Sequence, residues 1–341
     1  MTCAPTGRPP FHISAARPKA PRPLLEAAEA AAPIAGRSCR SITWREVTDE
    51  NGLEHTRCNL CGAERPVPFL RKNGYGVVRC ADCGLAYVSP RPNAEVLLRL
   101  YANEGYYRNR CASPYGYPDY LAERPLLEQL FVARIAEIEA LRPRRGRLLD
   151  VGCATGVLLE VAGGRGWDVQ GVDISDFSVA VCRERGLPVH HGDLVSARLP
   201  AASFDVAVLD DTIEHLPDPR REMEELHRVL APGGLLTMNT PNEAGILRRL
   251  SGAHWFHLKP PEHLYYFSPR TLEDLLGRTG FRVFRVRTSG KFVTLRYLCE
   301  RTRAFSDPLA RMLHATLGRL PGARRSFPLP IGEFVAFAER L

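Results

Sequence analysis

Two pairs of cysteines near the start of the chain have the spacing of a metal site. Two residues separate Cys58 from Cys61 and Cys80 from Cys83, and eighteen residues lie between the pairs. Two C-x2-C pairs at this distance indicate four thiolates that bind one zinc ion. Four thiolates complete a tetrahedral site and leave no position for a catalytic water, so we expect the zinc to be structural. A redox function of the C-x2-C pairs is the alternative.

Three carboxylates follow predicted strands further along the chain, where they can bind a nucleoside. Asp150 ends the apolar run RLLD, Asp173 ends a second strand 23 residues later, and Asp193 ends a third. The carboxyl ends of parallel strands meet at one edge of an open α/β sheet, where ligands bind. There Asp173 can accept both hydroxyls of a ribose, and Asp193 can accept from an adenine amino group. Alternatively, each acid is a solvated residue at a strand end.

The segment DVGCATG, which contains the first of these acids, has the composition of a ligand-binding turn. Gly152 and Gly156 allow the backbone to pass close to a ligand, and the next helix begins with free N–H groups. The order D-x-G-x-x-x-G, with Ala154 between the glycines, does not match the dinucleotide fingerprint G-x-G-x-x-G. We expect Cys153 in this turn to be a small buried residue and not a nucleophile.

From Arg147 onward, apolar strand patterns alternate with helical patterns. Helices are predicted from Val157, through Cys182 to a stop at Gly186, and from Pro219 to Leu230. This alternation predicts βαβ units and therefore a doubly wound parallel α/β sheet. The predicted strands are RLLDVG, WDVQGVDIS, PVHHGD, FDVAVLDD and GLLTMNTP, followed late in the chain by FRVFRVRTSG and GEFVAFAERL.

Five blocks of this region resemble class I S-adenosylmethionine-dependent methyltransferases in their order and spacing. They are LLDVGCATG, VDIS, GDL, FDVAVLDDTIEHLPDP and RVLAPGGLLTMNTPN. The resemblance implies a seven-stranded Rossmann-like sheet whose last strand, GEFVAFAERL, is antiparallel. It also implies S-adenosylmethionine as the cofactor. The cofactor-binding residues predicted on this basis are Asp150, Gly152, Cys153, Ala154, Gly156, Asp173, Ile174, Asp193, Leu194, Asp210, Tyr106 and Tyr107.

Two histidines are candidates for the base that such a transfer needs. A methyl acceptor must be aligned with the carbon–sulfur bond and often has to lose a proton. His215 follows the fourth strand in EHLPDP, and His263 lies in KPPEHLYYFSP, in the insertion after the fifth strand. Imidazole titrates near neutral pH, which suits a base. Alternatively, His215 holds a loop by hydrogen bonds, and His263 packs among the aromatic residues that follow it.

The composition divides the chain into a basic tail, a zinc-ribbon-like module, a connector with a helical cap, and an S-adenosylmethionine-binding methyltransferase domain with two insertions. The tail is expected to be disordered, with an organellar transit peptide as the alternative. The predicted ranges, in the same order, are 1–52, 53–92, 93–146 and 147–341, with insertions at about 242–268 and 297–322.

Charge and cysteine content limit the possible partners. The net charge is +8, but seven basic and two acidic residues among the first 45 supply +5 of it, so the charge is weak evidence for nucleic acid. One paired set among ten cysteines suits a reducing compartment with one metal site.

No apolar run is long enough to span a membrane, and we expect a cytoplasmic protein. The sequence does not indicate an oligomeric state.

The module, the five blocks and the segment PPEHLYYFSPRTLEDLL together resemble a bacterial-type subgroup of small-molecule methyltransferases. The predicted function is transfer of a methyl group from S-adenosylmethionine to a small-molecule, sugar or quinone-type acceptor. A second hypothesis is an RNA base methyltransferase whose zinc module binds RNA. A third is a non-catalytic scaffold that keeps the nucleotide site. The basic residues that the RNA hypothesis requires are Arg57, Arg65, Arg71, Lys72 and Arg79.

Overall fold

The computed structural model describes residues 52–102, 104–107, 119–301, 307–317, 320, 322–323 and 325–341. These residues fall within a single unit, which comprises residues 40–341. The predicted basic tail, except Gly52, lies outside the described residues. In the part of the chain that the structure describes, no helix is both long enough and apolar enough to cross a membrane.

A small antiparallel sheet surrounds the cysteine pairs. Strand β1 (Leu53–Glu54) is followed by β2 (Pro66–Lys72), β3 (Tyr75–Cys80), β4 (Ala86–Val88) and β5 (Arg91–Pro92). Strands β2, β3 and β4 form consecutive antiparallel pairs, and β1 pairs with β5. In β3, the buried Tyr75 and Val77 alternate with more exposed residues, as in a strand with one face in the core. We call residues 53–92 the cysteine module.

Three helices connect the cysteine module to the larger sheet: α1 (Ala94–Ala102), α2 (Glu104–Tyr107) and α3 (Arg124–Leu141). Helix α3 has a proline, Pro125, in its first turn, where a missing backbone N–H leaves no helical bond unmade. Ile135 and Ile138 lie on one face of α3 and are completely buried. They belong to the same core cluster as Leu148 and Val206 of the larger sheet, so this face attaches the connector to the sheet.

The larger sheet is built from alternating strands and helices. Its first elements, in chain order, are β6 (Arg147–Val151), α4 (Val157–Gly164), β7 (Asp168–Asp173), α5 (Asp176–Glu184), β8 (Val189–His191), β9 (Phe204–Asp210), α6 (Pro219–Val229) and β10 (Leu230–Pro241). All five strands are parallel. Strands β6 and β9 are rich in apolar residues and buried along most of their length, as expected for central strands with helices on both faces of the sheet.

The second half of the sheet contains the insertions. The elements are α7 (Ile246–Ser251), β11 (Tyr265–Tyr266), α8 (Pro269–Arg278), β12 (Phe281–Thr294), α9 (Leu295–Arg301), α10 (Asp307–Thr316) and β13 (Ser326–Arg340). Helix α8 begins with a capping box between Ser268 and Thr271, which satisfies the free N–H groups of its first turn. The helical insertion predicted at about 297–322 contains most of α9 and all of α10.

The strand order of the larger sheet is β12–β13–β10–β9–β6–β7–β8. Strand β13 lies between β10 and β12 and is antiparallel to both. The structure therefore confirms the predicted doubly wound, seven-stranded α/β sheet with its last strand antiparallel.

A second sheet joins the cysteine module to the insertion after β10, which the sequence did not predict. Its order is β11–β4–β3–β2. Tyr265 pairs with Tyr87 and Tyr266 pairs with Ala86. The insertion strand β11 comes immediately after His263 and Leu264. The module therefore lies close in the fold to His263, one of the predicted catalytic residues.

Candidate functional site

The turn between β6 and α4, which we call the cofactor turn, has an unusual backbone. Gly152, Ala154 and Gly156 have φ angles of +74°, +45° and +77°. A Cβ atom at Gly152 would lie 2.6 Å from Oγ1 of Thr212, and one at Gly156 would lie 2.4 Å from Cδ1 of Leu187. The glycines are therefore required by left-handed backbone and by packing against the protein itself, a reason that the sequence analysis missed.

Asp173 holds this turn and the start of α5 together. Its Oδ2 accepts a hydrogen bond from the Ala154 backbone N–H at 2.8 Å, and its Oδ1 accepts from the Ser175 N–H at 2.9 Å. Burial raises the pKa of Asp173 to about 6, although these two hydrogen bonds act in the opposite direction. Each carboxylate oxygen has a second lone pair, so the ribose hydroxyls can be accepted without loss of either backbone bond.

Asp150 lies at the end of β6 and is 4% exposed. Burial, together with the charges of Asp210 and Asp173, raises the pKa of Asp150 well above its usual range. Asp150 at the end of β6 therefore lies close enough to interact with Asp173 at the end of β7 and with Asp210 at the end of β9, as the topology of the sheet requires.

The adenine-side residues occupy the loop after β8. Oδ1 of Asp193 accepts from the Ser196 backbone N–H at 2.6 Å, which fixes the start of that loop, and Leu194 is buried. Ile174, which follows Asp173, is half-buried. Cys153 is 5% exposed and lies in a core cluster with Leu159 and Cys182. The roles of these residues toward a cofactor stay predictions.

The two predicted connector tyrosines contact different neighbours. The ring of Tyr107 stacks on Phe177 of α5 with 5.3 Å between centroids, and burial and the charge of Asp173 raise the pKa of Tyr107 well above its usual range. Tyr107 therefore lies beside the cofactor acid. The hydroxyl of Tyr106 instead donates to the Glu262 carboxylate at 3.2 Å, in the insertion that carries His263.

Asp210 has a protein partner that sequence reasoning missed. Its Oδ1 lies 3.3 Å from Nη1 of Arg134 in α3, and both side chains are at least 90% buried. Burial raises the pKa of Asp210, and the Arg134 charge opposes this rise. Its predicted contact with the cofactor stays a prediction, whereas its ion pair attaches α3 to the sheet.

The four cysteines of the module lie together, as their spacing predicted. The Sγ atoms of Cys58 and Cys83 are 3.4 Å apart, those of Cys61 and Cys80 are 3.5 Å apart, and all four lie within 4.8 Å of one another. Zinc–sulfur bonds of about 2.3 Å in a tetrahedron place sulfur atoms about 3.7 Å apart, so this set fits the ion. Gly62 and Gly84 have φ angles of +77° and +82°, which form the tight turns after each pair.

His215 follows β9 in a short 3-10 turn, Ile213–His215, and one of its ring nitrogens is fixed by hydrogen bonds. Its Nδ1 lies 2.9 Å from the Glu262 carbonyl oxygen and 3.0 Å from the Tyr101 hydroxyl, which also donates to that carbonyl. Because a carbonyl can only accept, Nδ1 carries the proton and Nε2 keeps a lone pair. Burial lowers the pKa of His215 to about 4, so the ring is neutral at pH 7.

His263 is 5% exposed, and its ring centroid lies 4.7 Å from that of His215. Among the described residues, Nδ1 of His263 has no hydrogen-bond partner. Burial and the neighbouring His215 hold the pKa of His263 well below its usual range.

Glu214 completes a cluster with the two histidines. It is 1% exposed, and its Oε2 accepts from Oγ1 of Thr240 at 3.0 Å. Burial and the charge of Asp211 raise the pKa of Glu214 well above its usual range. Each of Glu214, His215 and His263 offers one atom that could bind a metal ion, and these three atoms lie within 4.8 Å of one another. We call these residues the Glu–His–His cluster.

The cluster lines one end of a cavity of about 380 Å³. The same end holds Lys291, whose Nζ lies 2.7 Å from Asp211 and 3.3 Å from Glu333. The remaining wall is mostly apolar and includes Leu126, Leu130, Phe256, Phe292 and Ile331. The cavity thus suits a molecule with one polar end.

Sequence reasoning missed Tyr101, Lys291 and Glu333, which lie far from His215 in the chain. Only Glu214 had a local signal, because it is adjacent to His215.

Residues 120–286 match the family model described as "Methyltransferase domain". One similar relative is a ubiquinone biosynthesis O-methyltransferase of Paraburkholderia phymatum, which is 34% identical over 36% of this chain and 56% of its own length. A relative of the same name from Cereibacter sphaeroides is 29% identical over 46% of this chain and 68% of its own length. The chain therefore spans only a little over half of the first relative.

Among solved structures, one similar to this chain is a SAM-dependent methyltransferase from Archaeoglobus fulgidus. The alignment covers 65% of this chain and 99% of that protein's chain. The TM-score is 0.45 and the sequence identity is 21%.

Proposed function

We propose that the chain is a class I S-adenosylmethionine-dependent methyltransferase that methylates a hydroxyl group of a small molecule. The match of residues 120–286 to the methyltransferase-domain model supports this proposal. The observation that carries the proposal is the short segment Asp211–His215. Thr212 of this segment packs against Gly152 of the cofactor turn, while Asp211, Glu214 and His215 line the cavity. One segment therefore connects a cofactor site with an acceptor site.

The residues of the cofactor side fit a nucleoside with a charged amino acid moiety. Asp173 would accept from the ribose hydroxyls, Asp193 from the adenine amino group, and Asp150 lies near the cofactor turn, where the methionine moiety would bind. When bound, S-adenosylmethionine supplies an electrophilic methyl group, and the electron pair of the broken carbon–sulfur bond stays on sulfur. Tyr107, stacked on Phe177, covers this side from the connector.

On the acceptor side, the chain has to align a hydroxyl oxygen and take up or pass on its proton. Alignment of the reacting atoms can supply about 7–11 kcal/mol, and proton transfer to a base typically adds about 10²–10⁴-fold. His215 presents the lone pair of Nε2, since its Nδ1 donates to the Glu262 carbonyl, and Nδ1 of His263 has no hydrogen-bond partner among the described residues. We therefore assign His215 and His263 to the activation of the acceptor hydroxyl.

The acceptor class follows from the shape of the cavity and from the relatives. The apolar wall and single polar end suit a hydroxylated ring compound with an apolar substituent. Both relatives carry the name ubiquinone biosynthesis O-methyltransferase, which favours a quinone-type acceptor over a sugar. We place this reaction in the cytoplasm.

The RNA hypothesis has less support, because basic residues of the module are paired with acids. Arg57 lies 2.5 Å from Glu64, and Arg65 lies 2.7 Å from Asp82. Arg79 lies 2.5 Å from Glu243 of the insertion. These pairs reduce the positive charge that the module offers to a phosphate backbone.

We further propose that Cys58, Cys61, Cys80 and Cys83 hold one structural zinc ion. The ion would crosslink the two tight turns of the module, and the apparent binding free energy of such sites, roughly 10–16 kcal/mol, is large enough to fold a module of this size. Elemental analysis should give about one zinc per chain, and Cys80→Ser should lower this content strongly. A metal-free protein that remains fully folded would contradict this assignment.

The methyl-transfer proposal can be tested with purified protein, S-adenosylmethionine labelled in the methyl group, and a panel of hydroxylated ring compounds with and without an alkyl chain. We expect the label in an ether of the alkylated compounds, detected by mass spectrometry. The matched control is Asp173→Ala, which should lose cofactor binding in calorimetry while its circular dichroism spectrum stays unchanged. Cofactor binding in the wild-type protein without transfer to any hydroxyl would refute the proposed acceptor class.

A further inference from the structure

The hairpin formed by β2 and β3 of the cysteine module ends in a two-residue turn. Lys72 pairs with Tyr75, which leaves Asn73 and Gly74 as the turn. Both have left-handed φ angles, +53° and +80°, as a type I′ turn requires. Asn-Gly is the preferred sequence of this turn, so the backbone that carries the Lys72 and Asn73 side chains is well defined. We call residues 72–74 the hairpin tip.

The hairpin tip contacts the insertion after β10 at both ends of a short segment. The Lys72 ammonium group donates to the Trp255 carbonyl at 3.3 Å. Asn73 Nδ2 donates to the Pro260 carbonyl at 3.0 Å. We call residues 255–260 the wall loop. The module therefore holds the first and the last residue of the wall loop, each through a backbone carbonyl.

The wall loop forms part of the cavity. Phe256, His257 and Lys259 are among the residues that line it. Nε2 of His257 donates to the Ile331 carbonyl at 3.0 Å, which joins the middle of the loop to β13. The hairpin tip thus holds both ends of a segment whose inner residues contact the cavity.

Electrostatics also places the hairpin tip near the cavity. Burial and, after it, the charge of Lys259 lower the pKa of Lys72. The ammonium group of Lys259 lies 4.7 Å from the centroid of the Phe256 ring. Because two ammonium groups repel each other, the two hydrogen bonds hold the wall loop against a like-charge contact. Loss of either bond should therefore let the loop move away from the tip.

We propose that the hairpin tip is a positioning element of the acceptor site, in which Lys72 and Asn73 hold the wall loop where it fits the acceptor ring and so determine which acceptors the cavity admits. The acceptor would contact Phe256 and His257 and not the tip, so Lys72 and Asn73 are positioning residues. The module then has a second role beside its metal site. This inference deepens the proposed function and rests on it for the identity of the acceptor.

The first test measures the wall loop directly, in the full chain with zinc in the module. Asn73→Gly removes the bond to Pro260 and keeps the turn, because glycine readily adopts left-handed φ angles. Lys72→Met removes the bond to Trp255. Each variant should speed hydrogen exchange at the amides of residues 256–259 about two- to tenfold, the factor that one ordinary hydrogen bond is worth. Exchange mass spectrometry measures this change.

The matched control is Arg71→Met, which removes a basic side chain from the neighbouring position of β2. Arg71 is exposed, and its loss should leave exchange in the wall loop at the wild-type rate. Equal exchange in the wild-type protein and in both tip variants would overturn the proposal. Faster exchange in the Arg71 variant as well would also overturn it, because the effect would not be specific to the two bonds.

The second test uses an alkylated dihydroxybenzene as the acceptor. Both tip variants should raise the KM for this compound about two- to tenfold, with kcat within about twofold of wild type and unchanged affinity for S-adenosylmethionine. The preference for acceptors with a bulkier substituent should increase, since the wall loop can yield. General damage to the fold would instead lower cofactor affinity and kcat together. Unchanged KM and unchanged preference in both variants would refute the proposed role, even if exchange is faster.

Binding measurements separate this inference from the proposed function. Calorimetry with the same compound should show weaker binding in both tip variants by the same factor as the KM. A wild-type protein that binds the compound and methylates no hydroxyl group would refute the proposed function. Weaker binding by the tip variants of that protein would still support the role of the hairpin tip, and equal binding would overturn it.

Discussion

At the scale of single residues, Asp173 combines a structural and a binding role in one carboxylate. It accepts two backbone N–H groups, and burial raises its pKa to about 6. Only the ionised form can accept from both backbone groups and both ribose hydroxyls. We therefore expect the affinity for S-adenosylmethionine to decrease as the pH falls through about 6, by up to roughly tenfold per pH unit below it. Isothermal titration calorimetry between pH 5 and pH 8 measures this dependence.

Asp173→Asn is the matched variant for this prediction. It should bind the cofactor weakly at every pH, and the slope below pH 6 should disappear because no carboxylate remains to be protonated. Tyr107, Asp150, Cys153 and His191 also surround the group electrostatically. If the Asn variant keeps the same slope, one of these neighbours controls binding and our assignment of Asp173 fails.

The sequence predicted Asp150, Asp173 and Asp193 as cofactor-binding residues because each follows an apolar strand, and parallel strands bring their carboxyl ends together. It did not predict the contacts of Gly152 with Thr212 and of Gly156 with Leu187, because these contacts join distant parts of the chain. Tyr101 could not be predicted either. Its hydroxyl meets His215 across 114 residues, and nothing in its local pattern indicates that contact.

At the scale of elements, the buried ion pair between Arg134 and Asp210 attaches helix α3 to the sheet. Arg134→Met would leave the Asp210 carboxylate without its partner in a buried position. We expect a loss of about 3–5 kcal/mol in the free energy of unfolding, measured by urea denaturation with circular dichroism detection. The loss arises from an uncompensated charge and not from the size of the side chain.

An arginine three residues after the end of the same helix provides the control. Arg144 is exposed, and Arg144→Met should change the free energy of unfolding by no more than about 0.5 kcal/mol. Similar values for the two variants would mean that the pair contributes little and that apolar residues such as Ile135 attach the helix.

Element prediction succeeded where the pattern was long and failed where it was short. The seven strands of the larger sheet have apolar runs or a family resemblance that places them. Strand β11 contains only Tyr265 and Tyr266, which is too short for a recognisable period. Its partner β4 lies almost 180 residues earlier in the chain, so only the folded structure could indicate that the two are paired.

At the scale of the whole molecule, the cysteine module and the Glu–His–His cluster are connected by backbone hydrogen bonds. The Val88 N–H of the module donates to the Leu264 carbonyl at 2.9 Å, and the Leu264 N–H donates to the Glu214 carbonyl at 2.8 Å. Side chains add to this connection, because Arg91 Nη1 donates to the Pro217 carbonyl at 2.9 Å. The module thus supports the insertion segment that carries His263 and, through Leu264, the turn that carries His215.

We therefore predict that damage to the cysteine site reaches the cavity. Cys80→Ser should speed hydrogen exchange at the Leu264 amide and lower the rate of methyl transfer several-fold, because β11 loses its support. The affinity for S-adenosylmethionine should stay near the wild-type value, since the cofactor turn belongs to the other sheet. Exchange mass spectrometry and calorimetry measure the two quantities.

Cys299→Ser, which alters a buried cysteine of helix α9 outside the module, is the control and should leave exchange at Leu264 unchanged. If hydrogen exchange at the Leu264 amide is equally fast in the wild-type protein and in the Cys80→Ser variant, the insertion keeps its structure without the module, and this prediction is wrong.

The position of β13 affects how this molecule can be made. Six strands of the larger sheet precede β13 in the chain, yet β10 and β12 are each paired with it and not with one another. During translation, β10 therefore keeps an unpaired edge until residues 326–340 have left the ribosome. An open edge of this kind invites pairing with other nascent chains. Production of this protein should accordingly depend on chaperones that shield newly made strands. In the folded protein this edge of β10 is paired with β13.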